Sequence, residues 1–93
     1  MATQGGMMEK ELGRVTHFFP KISVAVIEIT AGSLKIGETI HVKGHTSDFT
    51  QLVESLQWEH QSIPEAKMGA SAGLKVKEHV REGDLVFKVE EGA

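Results

Sequence analysis

No cysteine occurs in the 93 residues, which removes disulfide frameworks and Cys-based zinc sites and leaves nothing that marks an oxidising compartment. The longest apolar run, Val24 to Ile27, is far too short to span a bilayer, and Met1 to Lys10 lacks the apolar stretch of a signal peptide. A cytoplasmic location without a membrane partner is the expectation. No glycine pair has the G-x-x-x-x-G-K-[ST] spacing that cradles a nucleotide phosphate, so the chain alone is not expected to hydrolyse GTP. Gly69-Ala70-Ser71-Ala72-Gly73 has a serine between two glycines, but a nucleophile elbow needs a helix after the serine, and Leu74 to Val76 reads as strand. The only close histidine pair, His41 and His45, falls short of the three or four ligands zinc needs, even with Asp48 nearby. No enzyme activity, cofactor or metal is expected. A net charge of −3 argues against broad phosphate neutralisation, so any RNA contact must be local. Lys67, Lys75, Lys77 and Arg81 cluster late in the chain, but Glu65, Glu78 and Glu82 are interleaved with them, as on a solvated mixed-charge face.

What is present is a turn design used twice. Leu34-Lys35-Ile36-Gly37-Glu38-Thr39-Ile40 is echoed by Val80-Arg81-Glu82-Gly83-Asp84-Leu85-Val86. In each, a cation precedes a glycine and an acid, and apolar residues then resume, which reads as a tight bend entering a strand. Leu12 to Phe19 is rich in β-formers and closed by Pro20. Ile22 to Ile29 is a central strand with Ala25, Ile27 and Ile29 on one face and Val24 and Val26 on the other. Leu34 and Ile36 are expected to re-enter the core, with Ile40 and Val42 inward on a strand from Thr39 to Lys43. Phe49 to Trp58 suits a strand with a bulge or change of buried face near Glu54, a helix being the competing assignment. Ser62 to Lys67 is compatible with one helical turn after Pro64 or with an irregular loop. Ala72 to Val76 and Leu85 to Val89 are the last strands. Six or seven short strands without a substantial helix predict an all-β, antiparallel six-stranded Greek-key barrel. The expected organisation is a disordered arm over 1–11, the barrel over 12–90 and a flexible end over 91–93.

The run from Ala25 to Ile40 resembles the signature of domain two of translational GTPases, the β-barrel of the elongation factor Tu and initiation factor two type. Val53 to Gln57, Pro64 to Gly69, Ala72 to Val76 and Arg81 to Val86 follow in the order and approximate spacing of that family's later motifs. In the elongation factor this domain helps hold the aminoacylated end of transfer RNA. The resemblance carries that surface onto Ile29, Gly32, Ile36, Gln57, His60, Gly73 and Leu74, with RNA or a translation-machinery protein as the implied partner. Gln57 stands where that factor has glutamate and His60 where it has arginine, and the loss of a guanidinium removes a permanent forked donor. Similar small barrels are appended to enzymes such as collagenase-like peptidases. That leaves a second expectation: a scaffold module docking on a partner enzyme without touching nucleic acid. Trp58, the lone tryptophan, suits either a barrel end or a stacking surface.

Overall fold

In the computed structural model, which describes residues 7–91, the two glycine-acid repeats fold as one device. The Glu38 N–H donates to the Lys35 carbonyl at 3.2 Å, the Glu38 carboxylate accepts the Lys35 N–H at 2.8 Å, and Gly37 sits at φ 97°. In the second copy the Asp84 N–H donates to the Arg81 carbonyl at 3.1 Å, the Asp84 carboxylate accepts the Arg81 N–H at 3.0 Å, and Gly83 sits at φ 93°. Each turn then exchanges a pair of backbone hydrogen bonds with a valine, Val53 for the first and Val15 for the second, all at 2.8 Å. A third copy spans Lys67 to Ala70. The Ala70 N–H donates to the Lys67 carbonyl, Gly69 sits at φ 93°, and Gly69 and Ala70 exchange the same pair with Ile29, at 2.9 Å throughout. Its fourth residue is alanine, so the acid that marks the other two in sequence is missing.

Ten strands run in chain order: β1 Met7–Phe19, β2 Val24–Ile29, β3 Ser33–Lys35, β4 Thr39–Lys43, β5 Asp48–Leu52, β6 Gln57–Trp58, β7 Gln61–Ser62, β8 Glu65–Lys67, β9 Ser71–Lys75 and β10 Leu85–Glu91. Eight form one antiparallel sheet in the order β5-β4-β10-β1-β2-β9-β6-β7, and β3 pairs with β8 as a separate ribbon. β1 carries two register shifts, between Glu11 and Gly13 against β10 and between Val15 and His17 against β2. Such bulges coil a strand and break its period of two, which lets Leu12 and Val15 both face inward although their parities differ. Gly13 is required at the first: a Cβ there would overlap the Glu28 carbonyl oxygen of β2. The core gathers Leu12, Val15, Ala25, Ile27, Ile29, Leu34, Ile40, Val42, Val53, Leu56, Leu74 and Val86 inside the curled sheet. Each large side chain fully buried there contributes about 1.5–3 kcal/mol.

The all-β, antiparallel expectation holds and the described residues contain no helix, but the six-stranded closed barrel is not what the pairing gives. β5 and β7 are opposite ends of the sheet, with no ladder joining them among the described residues. The Phe49 to Trp58 strand is split, because Val53 and Leu56 are both buried at a spacing of three and Val53 turns its backbone to the Gly37-Glu38 turn. Ser62 to Lys67 holds strand residues in place of a helical turn or loop: β8 follows Pro64, and its buried Ala66 pairs with buried Leu34. β2 begins at Val24, two positions after Ile22, since the Ile22 N–H closes a turn on the Phe19 carbonyl. Ile36 is 47% exposed and does not enter the core, because it occupies the outer corner of the first glycine turn. Of the arm expected over 1–11, residues 7–11 lie in β1, paired with β10, and residues 1–6 lie outside the described residues. At the other end Glu91 closes β10, and residues 92–93 lie outside the described residues.

Candidate functional site

Where β1 ends and the chain turns into β2, Phe19 and Ile22 stay 44% and 58% exposed, and across from them Trp58 on β6 is 48% exposed. Between these walls lies a groove of about 350 Å³ floored by Val24, Val26 and Gly73 and completed by Gln57, Glu59 and His60. The floor exists because β2 presents Ala25, Ile27 and Ile29 to the core, which leaves Val24 and Val26 on the outer face. Gly73 keeps it open: a Cβ there would stand 3.3 Å from Val24 Cγ1 and 3.6 Å from Gln57 Cγ. β6 meets β9 at one register position, Gln57 against Gly73, and then diverges, carrying Trp58 outward.

Backbone strain is concentrated at the same place. Glu59 and His60 connect β6 to β7 with φ 52° and 66°, the conformation of a two-residue type I′ hairpin, in which Asn-Gly is favoured. Ser23, between Ile22 and Val24, has φ 56°. Among the described residues these three are the non-glycine positions of positive φ, and each costs about 1–2 kcal/mol. The strained residues adjoin the two apolar walls, Ser23 beside Ile22 and Glu59 beside Trp58.

Of the seven positions carried over by resemblance, the groove brings together Gln57, His60 and Gly73. Ile29 and Leu74 are core residues, each 1% exposed, and do not line the groove. Gly32, at φ 71°, lines a separate cleft with Lys10, Glu11, Lys88 and Glu90, and Ile36 stands alone on its turn. Sequence reasoning missed Phe19, Ile22 and the half-buried Val26 as surface, with Val24 buried among them. Alternation on β2 gave a second apolar face, but it could not say that no element covers it.

His41 was considered above for metal binding. Its Nδ1 lies 2.7 Å from Glu9 and its Nε2 2.5 Å from Asp48, so both nitrogens are engaged with carboxylates. These bonds, Asp48 foremost and Glu9 next, raise its pKa above the ordinary 6.5 against a smaller opposing effect of burial. No group of three or more metal-ligating side chains is found among the described residues. The larger cavity, about 540 Å³, follows the unpaired seam between β5 and the chain after β9 and is lined by Glu54, Lys75 and Lys77 among others. It is bridged internally, by Gln51. The groove, in contrast, has no Lys or Arg in its lining.

The fold has counterparts among solved structures. It matches the C-terminal domain of a U32 peptidase from Geobacillus thermoleovorans with a TM-score of 0.77 and 20% identity, over 83% of this chain and 89% of that one. The likeness to the GDP-bound aIF5B of Aeropyrum pernix is lower, with a TM-score of 0.59 and 15% identity over 92% of this chain and 15% of that one. No family model matches the chain. In sequence it is 43% identical over 82 residues to an uncharacterized protease of Methanocaldococcus jannaschii, covering 87% of this chain and 20% of the relative. It is 33% identical over 78 residues to the collagenase of Porphyromonas gingivalis, covering 83% of this chain and 22% of the relative. The chain thus spans about a fifth of the length of the curated relatives it matches. The fold likeness extends to a translation factor, as the motifs implied, while these sequence relatives carry protease names. No described helix is long and apolar enough to cross a membrane.

Proposed function

We propose that this chain is a noncatalytic accessory module of peptidase-type proteins that binds a polypeptide partner through the groove between Phe19, Ile22 and Trp58. The observation that carries this is the coincidence of three large exposed apolar side chains with the non-glycine backbone strain of the described chain. Such strain persists where surrounding structure enforces it, and it clusters at ligand-holding sites. The protease names of the sequence relatives favour an enzyme or its polypeptide substrate as the partner class. A transfer-RNA partner is not favoured. The groove lacks the cations that phosphates require, and His60 offers no fixed charge where the resemblance called for one. Gln57, His60 and Gly73 are proposed as partner-facing residues, and the whole described segment as one binding unit.

The test is calorimetric titration with the Methanocaldococcus jannaschii relative from which the matching 82-residue segment has been removed. Binding that is lost in Ile22→Asp, alongside no response to uncharged or aminoacylated transfer RNA at low salt, is expected. Binding to transfer RNA with a steep salt dependence, or a complex insensitive to Ile22→Asp, would overturn it.

A further inference from the structure

Three properties of the groove specify its occupant more narrowly. The first is chemical. Its walls are aromatic and aliphatic, and Glu59 is the one charged residue in a lining that has no cation. Anionic ligands gain nothing there, and the single exposed Glu59 carboxylate adds little for a cation, so an uncharged segment fits. The second is hydrogen-bonding capacity. The Gln57 amide, the Trp58 indole N–H and the His60 ring are donor-bearing groups on one side of an apolar floor, and none of the three side chains makes a hydrogen bond within the described residues. An occupant that presents free carbonyls but few N–H groups would satisfy them. A polyproline II segment is of this kind: it has no internal hydrogen bonds, its carbonyls are exposed, its proline nitrogens donate nothing, and its rings pack on aromatic faces. Addition of a β-strand is the competing mode. The adjacent sheet edge, β7, is only two residues long, too short to template a ladder.

The third property is position. β1 runs 13 residues from Met7 to Phe19, a rise of up to about 40 Å, in a molecule whose longest extent is 45 Å. The groove lies at the Phe19 end. At the other end of β1, Met7 pairs with Glu91 of β10, and none of the residues that line the groove lies there. We propose that the groove binds an uncharged, proline-rich segment in polyproline II conformation, supplied by a second polypeptide and seated between Phe19 and Trp58. This rests on the reading of the groove as a polypeptide-binding surface and names the chemistry of what it holds.

Trp58 is the only tryptophan in the chain, so its fluorescence reports occupancy directly. The probes are an uncharged proline-rich peptide of about ten residues, the same peptide with alanine in place of proline, and a single-stranded RNA oligonucleotide. The proline peptide is expected to give a saturable blue shift, and the alanine peptide to bind at least about tenfold more weakly. The response should vanish in Gly73→Val, whose side chain fills the floor, and in Ile22→Asp. The Ile22 side chain is exposed, so the second variant keeps the test valid if the first does not fold. Equal binding of the two peptides would overturn the proline preference, and undiminished binding in Ile22→Asp would overturn the location. If the proline peptide fails while the truncated relative still binds in an Ile22-dependent way, the proposal falls and the accessory-module function stands. A response to RNA alone would remove both.

Discussion

His41 shows how one side chain links two strands, β4 and β1, that are not neighbours in the sheet. It projects from β4, Glu9 from β1 and Asp48 from β5, and β10 lies between β4 and β1 in the sheet. Hydrogen bonds to carboxylates from both ring nitrogens require both to carry protons, which is the imidazolium form. Its pKa is therefore higher in the folded chain than in the unfolded one, where it is near 6.5. The stabilisation is fully present below that unfolded value and is lost as pH rises through the raised folded value. Melting temperatures measured from about pH 6 to about pH 9 should fall more steeply for this chain than for His41→Gln. Parallel profiles would show that the clamp contributes nothing. The side chain is only 13% exposed while the Asp48 side chain is 70% exposed, so salt is expected to weaken the effect without abolishing it.

At the scale of the element, the glycine turn is the repeated part, and each copy is fastened by backbone bonds to a residue distant in the chain, Val53, Val15 or Ile29. The first two copies satisfy the N–H of their leading cation with an acid three residues on, Glu38 for Lys35 and Asp84 for Arg81. The third offers Ala70, which is exposed, in that place. Ala70→Asp should supply the missing acceptor to the Lys67 N–H and raise stability by about 0.5–1.5 kcal/mol, read as a higher urea midpoint with an unchanged slope. A lower or unchanged midpoint would mean that the Lys67 N–H is already satisfied. The two acid-bearing turns were legible in the sequence because glycine and a carboxylate recur at one spacing. The third was not, because backbone hydrogen bonds alone complete it and leave no side-chain signal.

At the scale of the molecule, the sheet curls without closing, and the Gln51 side chain spans part of the gap. Gln51 on β5 donates its amide to the Lys75 carbonyl at 2.7 Å and accepts the Lys77 N–H at 2.8 Å, so it stands in for one peptide unit of the absent ladder. Gln51→Ala should cost about 1–2 kcal/mol and speed hydrogen exchange at the Lys77 amide well above the change at core amides of β2. Retained protection at Lys77 would show that other contacts hold the seam. Nothing in the sequence sets Gln51 apart from the chain's other glutamines, since its role depends on a strand 24 positions away.

The sequence by itself determined the all-β class, the division of β2 into two apolar faces, the inward face of β4, and two of the three turns, because alternation and glycine-acid spacing are local and each residue carries its own signal. It also marked Gln57, His60 and Gly73, which do meet in one place. Only the tertiary structure decided that the sheet stays open, that Ile36 faces outward and that Ile29 and Leu74 are sealed in the core. It alone left Phe19, Ile22 and Trp58 facing one another across an uncovered floor. Exposure is a property of what packs on a surface, and that is set by strands distant in the chain, so no local pattern can encode it.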